Sequence, residues 1–200
     1  MNTFFSTPLA RRLVVTVLVI ISLYVDARAQ DAATHRLLLS GFEKPLDEEW
    51  SRDGANGGSP FDVESNVEKV KAGATSARWE PSRRPWLFLK KCPEDWSAYQ
   101  ALRVWIYAQE ANGQKINFWI NADGEPGVVE GKLRSYYFYQ LKVDWTGWRQ
   151  VVIDLNQCKP VRSPRGWNQI SSLMISAKGG GAEPLPGHVL WWDEMELVGL

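Results

Sequence analysis

Two alternating stretches of the chain carry the side chains best suited to chemistry. In Arg103-Val104-Trp105-Ile106-Tyr107 and Asn117-Phe118-Trp119-Ile120-Asn121, Val104, Ile106, Phe118 and Ile120 read as core. The period-two pleat then sends Arg103, Trp105, Tyr107, Asn117, Trp119 and Asn121 together to the opposite face. A third stretch, Tyr136 to Val143, alternates less decisively. With Leu141 and Val143 inward, Tyr137 and Tyr139 follow them, and Tyr136, Phe138, Gln140 and Lys142 join the outer set. Flat aromatic rings offer apolar area to the C–H side of a pyranose, while planar amides and a guanidinium supply donors and acceptors for its hydroxyls. Arg103, Asn117, Asn121 and Gln140 would be left unsatisfied on a dry face. That favours an open, sugar-holding face made of Arg103, Trp105, Tyr107, Asn117, Trp119, Asn121, Tyr136 and Gln140. A face covered by a loop, or one that meets another protein, stays open as an alternative.

The other aromatics have plainer readings. Of the eleven tryptophans, Trp50, Trp79, Trp96, Trp145, Trp148, Trp167 and Trp191 are assigned to packing, because buried or half-buried Trp is the rule. Catalysis is the rival to binding. A polysaccharide lyase needs a Tyr or His to take the proton α to a uronate carboxylate and an Arg or Gln to neutralise that carboxylate. Arg103, Gln140 and a tyrosine are the candidates. The histidines fit poorly, since His35 falls in an expected flexible N-terminus and His188 precedes the last strand. No paired carboxylates, nucleophile elbow, phosphate loop or redox motif stands out. The expectation is a non-catalytic protein, with a lyase-like enzyme or a protein-interaction module as the alternatives.

The elements that must position these residues are short strands. Apolar or alternating runs bounded by Gly, Pro, Asn and Asp cover Leu37 to Phe42, Phe61 to Val63, Thr75 to Trp79, Trp86 to Lys90, Leu102 to Tyr107, Lys115 to Asn121, Tyr136 to Val143, Trp148 to Leu155, Ile170 to Ser176 and Val189 to Val198. With no sustained 3.6-residue period, the class is all-β, a sandwich or barrel. Single helical turns fit at Ser97 to Ala101 and Asn168 to Ser172. Loops are expected over Asp47 to Pro60, Asp123 to Arg134 and Lys178 to Gly187, and Asp144-Trp145-Thr146-Gly147-Trp148 reads as a hairpin turn. Loops of this length often carry function.

Ahead of the strands, Arg11 and Arg12, the apolar run Leu13 to Tyr24 and the pattern Ala27-Arg28-Ala29 read as a secretory signal, residues 1–29, cleaved before Gln30. Residues 30–36 are then a flexible N-terminus and 37–200 a single domain. The run Leu13 to Tyr24 is too short for a comfortable span, so a secreted or periplasmic protein with no membrane segment after cleavage is expected. Losing Arg11, Arg12, Arg28 and Asp26 takes 23 basic and 23 acidic residues to 20 and 22, a formal charge of −2. Nothing there draws nucleic acid. Cys92 and Cys158, 66 positions apart, are a candidate disulfide in an exported protein, and two Cys with two scattered His do not read as a zinc site.

Several short signatures occur in a suggestive order: Gly41-Phe42-Glu43, Trp50, Gly73 with Ser76-Ala77-Arg78-Trp79, Asp95-Trp96-Ser97, Asp144 to Trp148, Pro164-Arg165-Gly166-Trp167 and Trp192-Asp193-Glu194-Met195-Glu196-Leu197. Over about Leu37 to Leu200 the chain resembles the galactose-binding-like jelly-roll carbohydrate-binding modules, in particular the non-catalytic N-terminal modules of bacterial polysaccharide lyases and glycoside hydrolases. The resemblance implies a two-sheet jelly-roll β-sandwich and a polysaccharide or oligosaccharide as partner. No catalytic domain follows Val198 in this sequence, so a stand-alone module is the expectation, with a separate carbohydrate-active enzyme as a candidate partner beside the glycan. The resemblance also implies a structural Ca²⁺ held by an acid of the first strand and one of the last, here Glu43 and Asp193. The alternative for those two is that they cap backbone amides.

Overall fold

The computed structural model describes residues 35–43, 45–52, 57–124 and 134–199. The expected leader, residues 1–29, lies outside the described residues. In chain order the elements are β1 (Arg36–Ser40), α1 (Leu46–Glu49), β2 (Trp50–Ser51), β3 (Asp62–Glu64), β4 (Ser76–Trp79), β5 (Trp86–Leu89), β6 (Ala101–Ala108), β7 (Lys115–Ala122), β8 (Ser135–Lys142), β9 (Gly147–Asp154), β10 (Lys159–Val161), β11 (Ile170–Ser176) and β12 (Leu190–Val198). All ten strands expected from alternation form. The two missed, β2 and β10, are edge strands of two and three residues, too short to show a period.

The strands pair antiparallel into two six-stranded sheets. The first runs β3-β4-β12-β6-β9, with β1 also on β12; the second runs β10-β8-β7-β11-β5-β2. This is the β-sandwich expected for a jelly roll, and the inner faces are as the sequence alternation requires. Leu102, Val104 and Ile106 of β6 and Trp192, Met195 and Leu197 of β12 are fully buried, facing Phe118 and Ile120 of β7 and Leu173 and Ile175 of β11. Trp192 bridges the layers, with its ring centroid 5.7 Å from Trp79 of its own sheet and 6.2 Å from Phe118 of the other. Phe42, Trp50 and Phe61 close one end, with centroids 5.5–5.9 Å apart. Aromatic pairs of this kind, stacked or edge-to-face, add about 0.5–1.5 kcal/mol each beyond the area they bury.

Three expectations are corrected. Asp144 to Trp148 is not a hairpin: β8 belongs to the second sheet and β9 to the first, so Gly147, at φ +84°, turns the chain between layers. No helical turn forms at Asn168 to Ser172, because Ile170 already opens β11 against Ala122 of β7; Ser97 to Ala101 makes a turn and then enters β6. Finally, Cys92 and Cys158 are free thiols. Cys158 precedes β10, at one edge of the second sheet, whereas Cys92 lies beside Leu173 of β11. Three strand spacings separate β10 from β11, about 14 Å, and a disulfide needs Cα atoms within about 7 Å.

Candidate functional site

The eight residues read as one face fall on two. β6 lies in the first sheet and β7 and β8 in the second, so Arg103, Trp105 and Tyr107 point away from the core on one side of the sandwich and Asn117, Trp119, Asn121, Tyr136 and Gln140 on the other. The alternation was right and the neighbourhood was wrong. The chain passes between sheets after Ala108 instead of turning back in a hairpin. Arg103 and Gln140 therefore cannot meet one uronate carboxylate, which removes the lyase constellation.

On the first sheet the outward residues are occupied by the protein itself. Arg103 Nε donates to Glu196 Oε1 at 2.6 Å, and Arg36 pairs with the same buried carboxylate. The segment after the 3-10 turn Val67–Lys69 lies over the rest: Lys69 Nζ is 3.4 Å from the Tyr107 ring centroid and Lys71 Nζ 4.1 Å from that of Trp105. Trp148 and Trp191 flank Tyr107 edge-on at 5.6 and 5.4 Å. Two cations stacked on these rings leave no apolar ring face for a ligand.

The second sheet differs. Because Phe118, Ile120, Leu173 and Ile175 face the core, their neighbours face out, and the strand register sets those in rows. One row runs Ser51, Phe88, Met174, Trp119, Phe138 and Lys159 across all six strands. The next holds Ser172, Asn121, Tyr136 and Val161. Trp119, half-buried, sits 4.8 Å from Phe138 and 5.2 Å from Tyr136, centroid to centroid, and its Nε1 is fixed by Ser176 Oγ at 3.0 Å. Asn121 Nδ2 donates to Ser172 Oγ at 2.9 Å, and the Arg162 guanidinium lies 5.5 Å from the Tyr136 ring. Beside this cluster opens a groove of about 580 Å³ whose lining includes Phe88, Lys90, Lys91, Asn121, Arg134 and Ser172.

A third row, Trp86, Ser176, Asn117 and Gln140, is closed by a glycine loop. Asn117 is fully buried. Its Nδ2 donates to Gly179 O at 2.7 Å, and Gln140 Nε2 donates both to Asn117 Oδ1 at 2.8 Å and to Gly180 O at 2.9 Å. These two amides hold the loop against the Cη2 edge of Trp119, and both Gln140 Nε2 hydrogens are spent on it. Sequence reasoning missed Phe88, Met174, Lys90 and Arg134 on this face. The alternation of Trp86 and Phe88 with Leu87 and Leu89 was the available signal, but nothing in sequence order places β5 two strands from β7.

The pairing of β1 with β12 brings the Glu43 and Asp193 carboxylates to one loop, residues 71–75. Asp193 Oδ2 accepts from Lys71 N at 2.8 Å and Ala72 N at 3.1 Å, while Glu43 accepts from Ala74 N at 2.9 Å and Thr75 N at 3.2 Å. Both therefore cap backbone amides. Asp193 goes further: it is fully buried, its Oδ1 has no partner among the described residues, and burial pushes its carboxyl up despite the amides that oppose the shift. Gly73 leaves room for the Glu43 carboxylate, which a side chain there would strike.

Comparison with known proteins matches these features. The profile of a carbohydrate binding domain, family 11, covers residues 30–173. The family 11 module from Clostridium thermocellum, solved in complex with a β-1,3-1,4-mixed-linked tetrasaccharide, is similar at a TM-score of 0.53 and 16% identity, over 82% of this chain and 96% of that one. A family 30 carbohydrate binding module is similar at a TM-score of 0.59 and 15% identity, over 84% of this chain and 89% of that one. The family 30 module of a cellulosomal cellulase of Clostridium thermocellum gives 0.55 and 16%, over 82% and 97%. At such identities the structural likeness is one of fold. No curated protein sequence matches the chain.

Proposed function

The chain belongs to the family 11 carbohydrate binding domains, and from that premise we propose that it holds a polysaccharide or oligosaccharide along the outer face of the second sheet. One observation carries the placement: Trp119, packed by Phe138 and Tyr136 and pinned through its indole nitrogen, presents a rigid aromatic surface beside an open groove. From Phe88 to Phe138 the apolar row spans three strand spacings, about 14 Å, enough for more than one sugar ring. Stacking supplies most of the net affinity, because each hydroxyl that bonds the protein first gives up water. Micromolar to millimolar binding follows.

The test is a pair of variants on opposite faces. Binding to a panel of polysaccharides, the mixed-linked β-glucan of the solved relative included, is measured for Trp119→Ala and Trp105→Ala. Trp119→Ala should cost about 1–3 kcal/mol of binding, as for an aromatic anchor, with its melting transition retained. Trp105→Ala should bind as the parent does. The reverse pattern would move the site to the first sheet.

Two further parts belong to this reading. Glu43 and Asp193 are the acids that would hold a Ca²⁺, which would neutralise the buried Asp193 and tie β1, β12 and the 71–75 loop together; the unpartnered Oδ1 supports it. The protein works outside the cytoplasm, secreted or periplasmic, beside a separate carbohydrate-active enzyme. The basic, apolar and small-residue order of residues 1–29 supports export, and the mass of the exported chain tests it.

A further inference from the structure

The six strands of the second sheet contain no Asp or Glu, while the strands of the first contain Asp62, Glu64, Asp154, Asp193, Glu194 and Glu196. The second sheet's charges are lysines, and the groove beside Trp119 gathers more: Lys90, Lys91 and Arg134 line it, with no carboxylate among its described lining residues. None of the three forms an ion pair with a described carboxylate. Lys90 Nζ donates to Asp47 O at 2.5 Å, a contact that fixes the ammonium without neutralising it. Lys91 also borders a smaller hollow with Glu48 and Glu49, so Lys90 and Arg134 carry more of the argument. The same wall holds an amide and two hydroxyls, Asn121, Ser171 and Ser172, and the aromatic row ends at Phe88 on one flank of the groove. A neutral glycan needs amides, hydroxyls and rings. It does not need three cations lining a groove with no acid among its described residues, which focus a field on whatever enters.

Resting on the reading that this face holds sugar, we propose that the ligand is an acidic polysaccharide, its carboxylate or sulfate groups seated between Lys90 and Arg134 while the uncharged parts of its rings lie along Phe88 and Trp119. Guanidinium and ammonium donors make the stronger, charge-assisted kind of hydrogen bond to such groups. The attraction is partly exposed to solvent and therefore falls as salt screens it.

Calorimetry with an oligogalacturonate, the same oligomer fully methyl-esterified, and a neutral mixed-linked β-glucan tetrasaccharide tests this. The acid should bind at least tenfold more tightly than its ester, and its affinity should fall several-fold between low and near-physiological salt while that of the neutral sugars stays level. In the variant Lys90→Gln/Arg134→Gln, acid and ester should bind alike. The salt series reads the same point on the unaltered protein should that variant fold poorly. A sulfated oligosaccharide that binds with this salt dependence where the uronate does not would equally support an anionic ligand. Ester or β-glucan bound as tightly as the acids, with no salt dependence, would overturn the charge inference and leave the aromatic platform standing. Failure of every glycan, charged or neutral, would sink the platform and this inference together.

Discussion

Asp193 is the residue whose chemistry is least complete. One carboxylate oxygen takes two backbone amides and the other, buried, takes nothing among the described residues. An unpaired buried acceptor costs about 1–3 kcal/mol, more when charged. Asn in its place keeps an oxygen for Lys71 N and Ala72 N but loses the charge that a cation needs. If Ca²⁺ sits there, excess chelator lowers the melting temperature of the parent by several degrees, since a ligand at a hundred times its dissociation constant stabilises by about 2.7 kcal/mol. Asp193→Asn is then indifferent to chelator, and in its presence is no less stable than the parent. A parent curve that does not move with chelator rules the ion out. The thiols give a second prediction. Burial pushes both Cys92 and Cys158 up to about 12 from an ordinary 9.0. A folded pKa raised above the unfolded one means that stability is full below pH 9 and drains as pH rises towards 12, because only the unfolded chain ionises in that window. By pH 10 the loss is on the order of 1 kcal/mol for each thiol. Denaturant titrations at pH 8 and pH 10 should show it in the reduced parent and not in Cys92→Ala/Cys158→Ala; equal pH dependence in the two proteins would mean the thiols are not buried as described.

At the scale of elements, the loop over the third row shows how backbone and side chain share the work of shaping a face. Gly180 sits at φ +54°, and a Cβ there would come within 3.2 Å of Phe138 and 3.3 Å of both Asn117 and Trp119. Gly181, at φ +81°, has nothing within 4 Å of its Cβ position. Alanine at either position pays the left-handed backbone penalty, about 1–2 kcal/mol. Only Gly180→Ala must also move the loop, or the Phe138, Asn117 and Trp119 side chains against it, by a few tenths of an ångström. It should therefore lose more stability in thermal melts than Gly181→Ala and alter glycan binding, whereas Gly181→Ala should bind as the parent does. Equal effects of the two would show that the loop does not rest on the ring. Elements were also where the sequence was most and least readable. Every strand but the short edges β2 and β10 announced itself, because one inner face repeats every second residue. Which strands would be neighbours was not legible. Val104/Ile106 and Phe118/Ile120 carry the same pattern whether β6 and β7 pair in one sheet or face each other across the core. The short link between them, Gln109 to Gln114, even contains Asn112-Gly113, a pair that signals a hairpin, yet it takes the crossing. For the same reason Phe88 and Met174, from distant parts of the chain, could not be joined to Trp119 before the sheet order was known.

In the whole molecule the two outer faces have divided their tasks. The first sheet carries the acids, pairs Glu196 with two arginines, and is overlaid by the loop that Glu43 and Asp193 hold. The second is aromatic and basic, and stays open along two of its three rows. Between them lies a layer of fully buried Trp, Phe, Leu and Ile, packed as densely as protein interiors are, so neither face shifts readily in response to the other. Two consequences follow. Only one face is available, so calorimetry should give one oligosaccharide bound per protein molecule. The metal, if present, should govern stability and not affinity: at a temperature well below melting, chelator should leave the glycan dissociation constant within about a factor of two, because coupling between two sites requires two states that both ligands distinguish. The relation is reciprocal, so saturating glycan should leave the affinity for Ca²⁺ equally unmoved. A tenfold loss of glycan affinity on chelation, with the protein still folded by tryptophan fluorescence, would mean either that the ligand lies on the first sheet beside Asp193 or that the core transmits a change of state from one sheet to the other. Trp119→Ala separates those outcomes, for it weakens binding only if the ligand is on the second.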